Sequence, residues 1–210
     1  MKPTNGPDFK GTLAMRTSRP AVFLDRDGVI IEDIHYLKNP KQVCLTPGAG
    51  PAVARLNAEG LPVVVVTNQS GVARGYFPEE AVAEAHRRLD ELLAEYGARV
   101  DHYYFCPHHP DGTVPAYRVE CECRKPRPGM LLRAARDLGI DLDASYLIGD
   151  KVSDLEAGAE AGCRTLLVRD DHGAGACRPL PADRLRLLAV TVDLPEAVAI
   201  VLARRHRLAG

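Results

Sequence analysis

The chain has 210 residues, 46% of them hydrophobic and 26% charged, which suits one globular domain with a substantial core and leaves too little length for a second. A formal net charge of −1 and the absence of any Lys/Arg block argue against polyanionic partners, nucleic acid included. No apolar stretch reaches membrane-spanning length or has signal-peptide form, so the expectation is a cytoplasmic protein with no membrane partner, acting as a monomer.

Residues 1–20 are polar, contain Pro and Gly and lack periodicity, which predicts a flexible tail ahead of one domain over 21–210. Residues 21–24, AVFL, read as a short buried strand that ends in Asp25-Arg-Asp27-Gly28. Two carboxylates at i and i+2, followed by a glycine that can turn the backbone under a bound group, are more than a solvated loop charge. The loop beyond carries Glu32, Asp33, His35 and Tyr36, each taken alone an ordinary surface residue. Ala52, Val53 and Leu56 then give a short helical face that stops near Gly60.

Residues 61–67, LPVVVVT, form the strongest strand signal, a β-branched run of the kind buried on both faces of a parallel sheet. It ends in Thr67-Asn68-Gln69-Ser70-Gly71, a polar turn or a set of hydroxyl, amide and backbone donors for an anion. Pro78 opens a helix with Val82, Ala85, Leu89, Leu92, Leu93 and Tyr96 at helical spacing, closed by Gly97. Residues 100–105 resume as strand. The long loop 106–127 holds Cys106, His108, His109, Cys121 and Cys123. Loops of this length inside a compact domain are functional, disordered or tied down. Two close pairs of Cys/His ligands fit a tie by Zn²⁺, with Cys106, His108, Cys121 and Cys123 as the chosen set and His109 as the rival imidazole. Four protein ligands leave no open position, so the metal is structural. A chain this rich in core residues needs no disulfide staples, and Cys44, Cys163 and Cys177 read as ordinary small residues.

After Arg124-Lys125-Pro126, a helix runs from Pro128 through Leu138, and a strand over 145–149 ends at Asp150-Lys151. Asp154 starts the next helix; 164–168 is strand, 189–192 an edge strand, and 194–202 a terminal helix. Residues 170–182 form a Gly/Pro-rich loop without an assigned role. The alternation implies an α/β, three-layer Rossmann-like fold with a mainly parallel sheet and right-handed crossovers. All strand ends then face one rim, which collects Asp25, Asp27, Thr67, Lys125 and Asp150. That is a kit for a Mg²⁺-bound phosphoryl group: oxygen ligands for a hard cation, donors for the phosphoryl oxygens and a carboxylate free to attack. The connections leave no room for a large cap domain, so water must be excluded by the 32–40 loop and the zinc loop, 106–124.

DRDG at 25–28, TNQSG at 67–71, Lys125 and GDKVSD at 149–154 resemble the four motifs of the haloacid dehalogenase superfamily of phosphohydrolases, over nearly the whole chain from Ala21 onward. CPHHPDG, the CEC pair, RKPRPGM and the DIHY loop are similar to its D-glycero-D-manno-heptose 1,7-bisphosphate 7-phosphatase branch, a relative of the histidinol-phosphate phosphatases. The resemblance implies Mg²⁺-dependent removal of the C7 phosphate through an aspartyl-phosphate. The product, heptose 1-phosphate, would feed nucleotide-activated heptose and lipopolysaccharide core synthesis. It makes Asp25 the nucleophile and Asp27 the acid/base, whose proton must be held by neighbouring carboxylates or a hydrogen bond. Thr67 and Lys125 would hold the phosphoryl oxygens. The Asp25 carboxylate, the Asp27 carbonyl and Asp150 would bind Mg²⁺, with Asp154 outside them. Asp33, Ile34, His35, Tyr36, Asn68, Gln69, Ser70, Arg124 and Lys151 would contact substrate. Rival readings are a histidinol-phosphate phosphatase, a DNA 3′-phosphatase and a non-catalytic, zinc-stabilised binding protein.

Overall fold

The computed structural model describes residues 18–169 and 181–209. Most of the expected tail, the greater part of the 170–182 loop and Cys177 lie outside them. Six strands, β1 (Val22–Leu24), β2 (Val63–Asn68), β3 (His102–Cys106), β4 (Tyr146–Gly149), β5 (Arg164–Val168) and β6 (Leu187–Thr191), form one parallel sheet in the order β3-β2-β1-β4-β5-β6. The order runs outward from β1 in one direction through β2 and β3, and in the other through β4 to β6. The crevice between the carboxyl ends of β1 and β4 is therefore the switch point where such sheets bind ligands.

Alternation along the strands builds the two faces. Val22, Leu24, Val63 and Val65 pack toward α1 (Ala49–Ala58), α3 (Glu79–Ala94) and α6 (Leu194–Ala209), whose Leu56, Leu89, Leu93, Val198 and Val201 are fully buried. Phe23, Val64 and Val66 face the opposite layer, where α4 (Gly129–Leu138) contributes Met130, Leu131 and Ala134 and α5 (Val152–Ala161) contributes Ala157. The short α2 (Ser70–Ala73) follows β2 after Gln69; four residues are too few to show a helical period in the sequence.

The elements fall close to the expected spans. The strand expected over 100–105 begins later, at His102, and runs one residue further, so that Cys106 is paired in register with Asn68. The fold also starts before Ala21: Arg19 bridges Ile140, donating to Gly139 O and accepting from Asp141 N–H. Among the described residues no helix is long and apolar enough to cross a membrane.

Candidate active site

β1 delivers Asp25 to the crevice with 5% of its surface exposed, and β4 delivers Asp150 beside it. Gly28 lets them meet: its φ is +82°, and a Cβ there would lie 2.6 Å from Asp150 Oδ2. Asp25, Asp150 and Asp154 each bring a carboxylate oxygen within 4.8 Å of the others. Buried like charges this close favour protonation: burial, then the Asp25 charge, push Asp150 up to about 7, and burial also raises Asp154. Asp150 Oδ1 is buried without a partner. Oxygen-only donors, one of them orphaned, fit a hard divalent cation.

Lys125 is the counter-charge, 3% exposed, with Nζ 3.0 Å from Asp25 Oδ1 and 2.6 Å from Asp154 Oδ1 and donating to Val66 O at 2.7 Å. Val66 O takes one ammonium proton, and the two carboxylates lie within ion-pair distance of the same nitrogen. Burial alone would lower its pKa, but Asp25 and then Asp154 outweigh that and hold it above the usual lysine range. Asp154 thus joins the carboxylate group and anchors Lys125, a closer part than the outlying one expected from its place in the motif.

Asp27 differs from expectation. Its carboxylate neighbours are not acids but donors: Arg26 Nη2 reaches both oxygens at 2.9 Å, and Gln69 Nε2 donates to Oδ2 at 2.8 Å and to Thr67 Oγ1 at 2.9 Å. Sequence reasoning passed over Arg26, because an arginine between two aspartates reads as one more loop charge. It is in fact 2% exposed, with Nη1 unpartnered. Gln69, 6% exposed, joins Asp27 to Thr67 through this amide.

Asn68 has a partner within the chain as well. Its amide accepts from Lys125 N–H at 3.1 Å and donates to Lys125 O at 3.0 Å, which fixes the lysine backbone. Asn68→Ala should therefore lower kcat by roughly 10- to 100-fold through misplacement of Lys125 and cost about 1–3 kcal/mol of stability. Steady-state kinetics beside thermal melts would show it, and a wild-type kcat would remove Asn68 from this role.

Asp33 and Lys151 are paired with each other at 3.2 Å, and Lys151 also lies 3.2 Å from Asp150 Oδ2, so the loop after β1 is tied to the metal-side carboxylates. Burial would lower Lys151, but Asp150 and then Asp25 raise it above its usual range. Asp33 Oδ1 accepts from His35 N–H at 2.7 Å, and His35 has a φ of +65°, a conformation L residues seldom adopt. Ile34 and Tyr36 on this loop are exposed. Tyr36 meets Tyr76 edge-on at 4.6 Å, with Lys38 Nζ 5.3 Å from the Tyr76 ring centre. Tyr76, which carried no sequence signal, brings the loop after α2 into the same rim. Ser70 opens α2, half-buried, and its carbonyl accepts from Arg74 N–H.

The second cluster hangs on the end of β3. Cys106 Sγ lies 3.5 Å from Cys121 Sγ and 3.7 Å from His108 Nδ1, Cys123 Sγ 3.2 Å from Cys121 Sγ and 3.4 Å from His108 Nδ1. A tetrahedron with metal–sulfur bonds of about 2.3 Å has edges of roughly 3.8 Å, so the spacing suits one ion at its centre. The thiols are free. The Cys106 contact first, and then the other donors around it, hold the Cys123 thiol down at about 5, a thiolate in reach of a metal. Of the two histidines, His108 faces this cluster and His109 faces Arg74. Arg124 is tied to the same loop, donating to His108 O at 3.3 Å. Cys44 is exposed and Cys163 buried, both outside the cluster.

A parallel sheet with nested carboxylates and a buried lysine at its switch point defines a hydrolase of the haloacid dehalogenase type. A family model described as "HAD-hyrolase-like" matches residues 122–186. A Yersinia pestis protein named D-glycero-beta-D-manno-heptose-1,7-bisphosphate 7-phosphatase is 43% identical over 185 residues, 88% of this chain and 97% of its own. A Rhodopseudomonas palustris protein of the same name is 50% identical over 144 residues, 69% and 80% of the two chains. The crystal structure of D,D-heptose 1,7-bisphosphate phosphatase from B. bronchiseptica, complexed with magnesium and phosphate, matches with a TM-score of 0.76 and 36% identity over 88% of this chain and 99% of that one. The chain belongs to the D-glycero-β-D-manno-heptose-1,7-bisphosphate 7-phosphatase family within the haloacid dehalogenase superfamily.

Proposed function

We propose that this chain is a Mg²⁺-dependent phosphatase that removes the C7 phosphate of D-glycero-D-manno-heptose 1,7-bisphosphate and releases heptose 1-phosphate. The observation that carries the reading is the approach of Asp25, Asp150, Asp154 and Lys125 at the β1/β4 crevice, in a chain whose relatives over nearly their whole length bear that name.

An Asp25 oxygen attacks phosphorus as the bond to the sugar oxygen breaks, leaving an aspartyl-phosphate on Asp25. Asp27 gives its proton to the departing sugar oxygen, then takes one from the water that attacks phosphorus and frees Asp25 and inorganic phosphate. The donors around Asp27 suit the second of these tasks; for the first, the Gln69 or Arg26 contact must yield to the carboxyl O–H. Thr67 and Lys125 hold phosphoryl oxygens, and Lys125 also orients the nucleophile. The Asp25 and Asp150 carboxylates with the Asp27 carbonyl would hold Mg²⁺, which supplies positive charge for the transferring phosphoryl group. The Asp33–Tyr36 loop, Ser70, Arg124 and Lys151 face the sugar end. Cys106, His108, Cys121 and Cys123 would hold a structural Zn²⁺ that keeps Arg124 and Lys125 in place. A cytoplasmic setting would keep these thiols reduced and the cluster available to metal.

The test is Mg²⁺-dependent phosphate release from both heptose bisphosphate anomers, fructose 1,6-bisphosphate and histidinol phosphate. The heptose bisphosphate should lead in kcat/KM by at least about 100-fold, the scale of discrimination that a few charge-assisted contacts supply. Comparable rates on all four would leave a general phosphatase and end the specific assignment.

A further inference from the structure

Arg26 stands between Asp25 and Asp27 in the chain, and it touches both. Its N–H donates to Asp25 Oδ1 at 2.7 Å, while its guanidinium grips Asp27: Nε lies 3.3 Å and Nη2 2.9 Å from Oδ1, and Nη2 is also 2.9 Å from Oδ2. Its carbonyl accepts from the N–H groups of Ile30 and Ile31 at 3.0 Å, so the turn that carries Asp27 closes on this one residue. At 2% exposure the guanidinium is sealed away from substrate. An arginine is seldom buried so fully without a task.

The layer it enters holds it still. Leu24 packs toward α1, α3 and α6, and Arg26, two residues on, follows it inward, where its charge bears on His86 of α3. That imidazole stacks on Tyr103 of β3 at 4.2 Å and meets Phe105 edge-on at 6.2 Å, and the Tyr103 hydroxyl is tied to Asp90 Oδ1 at 2.6 Å. Burial, then the Arg26 charge, hold His86 down at about 3, so a neutral ring braces the guanidinium. Arg26 Nη1 and His86 Nε2 are both buried without a partner. A guanidinium kept for packing alone would turn to pair such a donor, whereas this one keeps its other N–H groups on Asp27.

The chemistry asks for such a hold. In-line transfer to Asp25 expels the sugar oxygen on the side opposite the nucleophile, and water later attacks from that same side. Asp27 must therefore present one oxygen to one place in both half-reactions. The terminal torsion of an aspartate is broad unless something fixes it, and this side chain is 21% exposed. Gln69 Nε2 joins Asp27 Oδ2 to Thr67 Oγ1, at 2.8 and 2.9 Å, which puts Oδ2 on the phosphoryl side. Oδ1, held by two N–H groups of Arg26, is the handle.

Resting on the phosphatase mechanism above, we propose that Arg26 is a positioning residue for acid/base catalysis, a guanidinium braced by His86 that fixes the Asp27 carboxylate with Oδ2 toward the reacting centre.

The test follows the first turnover of Mg²⁺-loaded wild type, Arg26→Gln and Arg26→Lys on two esters, heptose 1,7-bisphosphate and p-nitrophenyl phosphate. The sugar oxygen needs a proton to leave and nitrophenolate does not, so only the first ester depends on where Asp27 points when the bond breaks. Arg26→Gln should slow the first turnover of the heptose bisphosphate about 10- to 100-fold and that of p-nitrophenyl phosphate less than about 3-fold. Arg26→Lys should recover part of the loss, since the charge returns without the planar fork. This variant decides the matter, by the same contrast between esters, if Arg26→Gln fails to fold. Equal slowing on both esters would show a merely structural arginine, and no slowing on either would remove it from the mechanism; both results overturn the proposal. A wild type inactive on the heptose bisphosphate would overturn the substrate reading alone. Histidinol phosphate, whose alkyl oxygen also leaves with a proton, would then take its place in the comparison.

Discussion

Asp25→Asn should abolish phosphate release from heptose bisphosphate, lowering kcat by roughly 10⁴-fold or more, the scale on which loss of a covalent nucleophile acts. The amide cannot attack phosphorus, while the strand that presents it and the Lys125 and Asp154 pair beside it persist. Acid-quenched wild type should carry radioactivity from ³²P-labelled substrate and the variant should not. A variant that still turned over would move the nucleophile elsewhere. The same change bears on stability. Asp150 in the folded, metal-free protein holds its proton up to about 7, against the ordinary aspartate value of 3.8, because of burial and then the Asp25 charge. A carboxyl with a raised folded pKa binds its proton more tightly than the unfolded chain does, so the contribution is present below about pH 4 and is lost as pH rises through about 7. The Tm of Mg²⁺-free wild type should therefore fall between about pH 5 and about pH 8, and fall less in Asp25→Asn, where one source of the shift is gone. An identical pH dependence in the two proteins would contradict the coupling.

Cys123→Ser should release zinc and cost on the order of several kcal/mol of stability, because metal affinity in such sites is folding free energy. Cys123 directly precedes Arg124 and Lys125, so the loss should reach the catalytic rim. A turnover decrease of about 100-fold is expected, the effect of displacing positioned groups by about 1 Å. Zinc content by atomic absorption, a melt and steady-state kinetics on one preparation would show the three effects together. Zinc-free protein that stayed folded and kept wild-type kcat and KM would mean the metal loop and the phosphoryl site are independent. The contacts that make them dependent are on both sides of the lysine: Asn68 holds its backbone from β2, and Arg124 is bound to the His108 carbonyl in the loop.

The inner strands were readable from the sequence because β1, β2 and β4 are buried on both faces. A run such as Val63 to Val66 has no polar member to confuse with a helix or a loop, and each strand stops where the chain turns polar. The same stops place Asp25, Thr67 and Asp150 at one rim. Side-chain partnerships were less visible. Asn68 and Gln69 sit in a motif whose small polar residues read as substrate contacts, yet their partners are the Lys125 backbone, 57 residues away, and the Asp27 carboxylate, 42 residues away. Arg26 looked like a loop charge because nothing in a sequence distinguishes a guanidinium folded inward from one in solvent.

What the amino-acid sequence by itself determined is therefore the order of elements, the parallel sheet, the set of carboxylates and lysine at its rim and the four candidate zinc ligands, since these follow from local hydrophobic runs and from residue types at short spacing. Only the tertiary structure decided which histidine faces the cysteines, that Asp154 anchors Lys125, and that Asp27 is clamped by Arg26 and Gln69. The physical reason is that a hydrogen bond or ion pair depends on where a side chain points to within a few tenths of an ångström, and that is set by packing among segments far apart in the chain.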